Sequence, residues 1–103
     1  MEIFTTETDI HYASAKVEET PHVVKKGVIY VVNSNDENNL AVFSCPCGCG
    51  DTIQLNLSKE HRPSWTIQYH HPKIVSIYPS IEKTTGCQSN FSVWMGKVTW
   101  NQI

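Results

Sequence analysis

Three of the chain's four cysteines stand at alternate positions of one hexapeptide, Cys45-Pro46-Cys47-Gly48-Cys49-Gly50, and the fourth, Cys87, lies far downstream. Zn²⁺ takes thiolate sulfur at about 2.3 Å and, in structural sites, four ligands in a tetrahedron, so a tight cluster and one distant partner can close a single site. The flanking residues suit such a loop. Glycine reaches the positive φ angles of an abrupt turn, and proline fixes the residue between the first two thiols. Cys45, Cys47, Cys49 and Cys87 are therefore the expected zinc ligands.

Other uses of these thiols fit less well. Two disulfides would consume four cysteines, but one would have to bridge two of Cys45, Cys47 and Cys49, and so small a ring strains the separation and dihedral that a disulfide needs. Four thiolates also hold iron–sulfur clusters, yet the spacing differs from the ferredoxin runs. If one clustered thiol points away, a histidine must replace it, and His11, His22, His61, His70 and His71 are the candidates. Each alone reads as a solvated side chain, His61 opening a loop and His70-His71-Pro72 forming a turn. Residues 1–20 mix threonines, serines and acids without the apolar run of a signal peptide, so a cytoplasmic setting is expected, where clustered cysteines bind metal more often than they pair.

Hydrolytic chemistry has weaker candidates. Ser89, beside Cys87, and Ser64 are hydroxyls that a histidine such as His61 would activate, with backbone N–H groups of the glycine-rich loop as an oxyanion pocket. The ordinary role of Ser89 is to shape the turn that presents Cys87. A metal-activated water needs an open coordination position and a carboxylate base, for which Asp51 or Glu60 would serve. Four thiolates leave no such position, so a full set marks the metal as structural. Zinc deaminase chemistry needs His-x-Glu before Cys-x-x-Cys, and neither is present.

These residues must be carried by strands. Val28 to Val32 and Leu40 to Phe43 are apolar runs around the polar stretch Asn33 to Asn39, a hairpin that delivers its second strand into the cysteine loop. After the loop Ile53, Leu55 and Leu57 alternate with polar residues, the period of a half-buried strand. Trp65, Ile67 and Tyr69 alternate in the same way before the His70-His71-Pro72-Lys73 turn, and Ile74 to Tyr78 follows until Pro79 ends it. Phe91 to Trp94 and Lys97 to Trp100 pair about Met95-Gly96. No segment has a capped helical period. The expected fold is mainly β, a small antiparallel sandwich or partly closed barrel stapled by zinc. Residues 27–103 are read as the zinc-binding β domain and residues 1–26 as an N-terminal arm or edge segment.

With 103 residues and a net charge of −2, the chain has room for one modest core and no basic stripe for nucleic acid. Lys25-Lys26 and Arg62 read as surface charges. No apolar run approaches the roughly 20 residues of a membrane span. Trp65, Trp94 and Trp100 are expected in or against the core rather than as a ligand platform.

The ordered series Cys-Pro-Cys-Gly-Cys-Gly, Arg62-Pro63-Ser64-Trp65, Pro79-Ser80-Ile81, Gly86-Cys87-x-Ser89-x-Phe91 and Gly96-Lys97-Val98-x-Trp100 resembles the small bacterial and phage family catalogued as domain of unknown function 6527. The resemblance runs from about Gly27 to Trp100. Some members are encoded beside bacterial ubiquitin-like conjugation enzymes in antiphage operons. The resemblance thus implies an accessory role in such a pathway, with a ubiquitin-like protein or its conjugation enzymes as partner, or removal and processing of that protein.

One position departs from the family pattern, which usually has histidine where this chain has Asn90. If that histidine is a ligand, zinc here depends on the four thiolates. If it is a general base, this chain lacks it, because an amide takes no proton usefully at neutral pH. Two readings follow: a zinc-stabilised interaction module, or a small peptidase or isopeptidase-like hydrolase disabled at Asn90.

Overall fold

The computed structural model describes residues 4–34, 37–60, 62–82 and 90–102. Nine strands make two open sheets, and no helix is present among the described residues. The strands are β1 (Phe4–His11), β2 (Ala13–Val17), β3 (Val28–Ser34), β4 (Glu37–Ser44), β5 (Thr52–Asn56), β6 (Thr66–His71), β7 (Ile74–Glu82), β8 (Asn90–Trp94) and β9 (Lys97–Gln102). One sheet runs β1-β9-β8-β7-β6 and the other β2-β3-β4-β5. The mainly β expectation holds as two packed sheets, with no closure into a barrel. Among the described residues no helix is long and apolar enough to cross a membrane.

Alternation decides what lies between the sheets. Ile53 and Leu55 of β5 are buried while Thr52 and Gln54 are exposed, and Phe91 and Val93 of β8 are buried on either side of half-buried Ser92. Ile29, Val31 and Phe43 from one sheet meet Val75, Ile77, Phe91, Val93 and Val98 from the other in one cluster. Each such side chain contributes about 1.5–3 kcal/mol by leaving water. Rings cross the interface edge to face, Tyr12 to Phe43 at 5.3 Å and Phe43 to Phe91 at 6.3 Å.

Three features differ from the sequence expectation. β2 runs parallel to β3, Ala13 opposite Val28 through Val17 opposite Val32, because residues 18–27 cross over instead of turning back. β7 continues through Pro79 to Glu82. A register shift against β8 between Ile77 and Ile81 takes the proline out of the regular ladder, which would have needed its missing N–H. Trp65 and Trp100 pack against the core as expected, whereas Trp94 is exposed.

Candidate metal centre and its surroundings

The cysteine loop leaves β4 and enters β5. The Cys45 N–H donates to the Asp51 carbonyl at 2.9 Å, closing its base, and the Gly48 N–H donates to the Cys45 carbonyl at 3.2 Å, making a turn over Pro46 and Cys47. Gly48 and Gly50 have φ of +84° and +86°, and an added Cβ at either would meet nothing within 4 Å. Backbone conformation, not space, calls for glycine there. The turns bring the Cys45, Cys47 and Cys49 sulfurs within 4.8 Å of one another, with Cys45 and Cys47 3.4 Å apart. A tetrahedral ion with metal–sulfur bonds of about 2.3 Å needs sulfurs about 3.8 Å apart. The three thiols therefore fit one metal ion.

Of the expected ligands, Cys45, Cys47 and Cys49 come together, and Cys87 lies outside the described residues, as do Ser89 and His61. His11, His22, His70 and His71 take no place in the cluster. Cys45 is buried while Cys47 and Cys49 face solvent, so the site is anchored at its β4 end. Tyr12 supports that end. Its hydroxyl donates to the Ser44 carbonyl, its N–H donates to the Gly96 carbonyl at 2.7 Å, and with Ile10, Lys26, Gly27 and Pro46 it lines a cavity of about 170 Å³ beside Cys45.

Burial, and after it the nearby charges of Cys45 and Cys47, push the Tyr12 phenol far above its ordinary 10.0, and burial also raises Tyr69. A raised phenol stabilises the fold fully below pH 10, where folded and unfolded chains are both protonated, and that stability is lost above it as the unfolded chain ionises first. Urea midpoints are accordingly expected to stay level up to about pH 9 and to fall beyond 10, with a shallower fall in Tyr12→Phe. A midpoint that rises above pH 10 would contradict the burial of Tyr12.

Asn90 opens β8 opposite Glu82 of β7, and its Oδ1 accepts from Asn101 Nδ2 at 3.2 Å, which also donates to Ser92 Oγ at 3.0 Å. Ser80 is exposed on β7 two residues before Glu82, inside the register shift between Ile77 and Ile81. Sequence reasoning did not single out this hydroxyl, although Pro79-Ser80-Ile81 is among the motifs. It also missed the hydrogen bond between His70 Nε2 and Ser76 Oγ at 2.7 Å. That pair is no nucleophile and base. Ser76 has no exposed surface and accepts the Met95 N–H at 2.7 Å, so its hydroxyl ties the β8–β9 turn to β7.

Residues 16–101 match the model of a family described as bacterial ubiquitination-like system serine protease (BubE). The chain belongs to this family. The match spans every strand from β3 to β8, the cysteine loop and position 90, and reaches into β2 and β9. It agrees with the link to a ubiquitin-like pathway drawn from the motifs, but it does not carry the name domain of unknown function 6527. No curated protein and no solved structure matches the chain. BubE membership makes protein partners the relevant ones, and the cysteine cluster gives the family fold in this chain a place for a metal ion.

Proposed function

We propose that this chain is a zinc-stapled peptidase of the serine class that acts on the ubiquitin-like protein of a bacterial ubiquitination-like system, with its hydrolytic step attenuated at Asn90. The family match over residues 16–101 carries this reading. Zinc, held by Cys45, Cys47, Cys49 and Cys87, would fix the loop between β4 and β5. A set of four thiolates leaves the ion no open position, so the reaction belongs to a hydroxyl and its base. Ser89 is the proposed nucleophile, with exposed Ser80 of β7 a second candidate hydroxyl and His61 the proposed base in this chain.

The nucleophile's proton must leave as its oxygen attacks the carbonyl carbon, and the base later returns that proton to the leaving amine. Asn90 cannot take it, and its Oδ1 already accepts from Asn101. That bond favours the second reading, a protein-binding module without turnover.

Asn90→His tests the two. With a fusion of the ubiquitin-like protein to a reporter as substrate, the variant is expected to cleave roughly 100-fold faster than the parent, the lower range for a positioned general base. Ser89→Ala should abolish the gain. A folded, zinc-loaded Asn90→His that cleaves no faster, and that no serine-directed fluorophosphonate labels, would leave the binding module as the function.

A further inference from the structure

We infer that the outer face of the five-stranded sheet around Trp94 docks the folded body of the ubiquitin-like protein, so that its C-terminal tail runs along β8 to position 90. This names the partner of the proposed site and rests on that reading.

The face carries an unusual set of exposed side chains. Trp94 is 53% exposed, Met95 51%, Tyr78 38% and Ile74 37%, although a polar residue would satisfy each position. Trp94 is held between two rings edge to face, His70 at 5.3 Å and Tyr78 at 6.0 Å, and Tyr78 is itself tied by its hydroxyl to Gln68 Oε1 at 3.2 Å. Beneath lies the fully buried Ser76, bonded to His70 and to the Met95 N–H. A tryptophan fixed in this way loses little freedom when a partner covers it, which is the property of an interface anchor.

Met95 is a second and independent sign. Met95 and Gly96 form a two-residue hairpin turn with φ of +50° and +80°, a conformation that Asn-Gly suits and a long side chain does not. The chain gives up local stability to present a pliant thioether beside Trp94. Such exceptions to local preference collect where a surface has a use, and methionine is favoured on surfaces that adapt to partners.

The occupant follows from where the patch lies. Alternation along β8 puts Asn90, Ser92 and Trp94 on one face, opposite the buried Phe91 and Val93. Trp94 is thus about 13 Å from position 90 at roughly 3.3 Å per residue, the reach of about four extended residues of tail. A peptidase that selects a folded protein by its tail needs contacts away from the scissile bond, and this surface is continuous with the site it would serve.

The test is calorimetric titration of the full, zinc-loaded chain with the ubiquitin-like protein of its system, with and without that protein's C-terminal tail. Trp94→Ala should weaken binding of both forms at least tenfold. Met95→Asn, which suits the turn and so keeps the fold, should weaken it several-fold. Val23→Ser, which removes a side chain 73% exposed in the crossover loop, should leave affinity unchanged. Wild-type affinity in both patch variants, or no binding by the parent chain, overturns the docking surface. If cleavage is seen but its KM is indifferent to Trp94, docking fails and the peptidase reading stands. If binding depends on Trp94 but neither the parent nor Asn90→His cleaves, docking stands and the peptidase reading fails.

Discussion

Stripping the metal from the chain is expected to lower its thermal midpoint by roughly 8–16 °C or more, since a loss of only about 2 kcal/mol moves a domain of this size that far. Backbone hydrogen bonds from Cys45 to Asp51 and from Gly48 to Cys45 shape the loop between β4 and β5, which has two glycines at positive φ. A metal ion bound to the three sulfurs, which lie within 4.8 Å of one another, would cross-link the loop beyond those bonds. Metal binding free energy accrues only to the folded chain, so it becomes folding free energy. Cys45→Ser should be the most damaging ligand change because that thiol is buried at the root of the loop, whereas Cys47 and Cys49 are exposed. Cys87→Ser should have a similar effect if that thiol closes the tetrahedron. Melting curves taken with elemental analysis of the same samples check this. One zinc per chain in the parent, with parallel loss of zinc and midpoint in the variants, is the expected result. A midpoint unchanged in metal-free protein would remove the metal from the account of stability.

What the sequence disclosed depended on whether the signal was local. The cysteine cluster could be read because its ligands and its turn formers lie within six consecutive residues, and β5 could be read because Ile53 and Leu55 alternate with polar neighbours. The parallel pairing of β2 with β3 had no local mark, since residues 18–27 cross over without a turn motif and pairing direction is a tertiary outcome. Pro79 marks a strand end in the sequence because a regular ladder needs an N–H that proline lacks, and the strand continues because the register shifts there. Trp94 shows a different fault. Placing tryptophan in or against the core followed its composition, while the alternation of Phe91 and Val93 already pointed Trp94 outward. The neighbours of position 90 needed register: Asn101 and Glu82 approach it only because β8 lies between β7 and β9.

Gly96→Ala is expected to cost about 3 kcal/mol or more, lowering the midpoint by roughly 12–24 °C, and to weaken metal retention as well. At φ +80° an alanine bears the left-handed penalty of about 1–2 kcal/mol. Its Cβ would also stand 2.7 Å from the Tyr12 carbonyl oxygen, a backbone atom that cannot swing aside. To clear it, the chain must disturb the bonds that meet at this residue, Tyr12 N–H to the Gly96 carbonyl at 2.7 Å and Gly96 N–H to the Val75 carbonyl at 2.8 Å, each worth about 1 kcal/mol. Displacing Tyr12 then reaches the metal loop, because its hydroxyl donates to the carbonyl of Ser44, the residue before Cys45. Gly48→Ala is the comparison that isolates the clash. It shares the positive φ, at +84°, but has nothing within 4 Å of the added carbon, so only the conformational penalty applies. Denaturant titration of both variants, with zinc release followed by a chromogenic chelator, should find Gly96→Ala the more destabilised although it lies outside the loop. Equal costs would mean that the contact between the β8–β9 turn and Tyr12 yields freely, and that Tyr12 is not the strut connecting that turn to the metal loop.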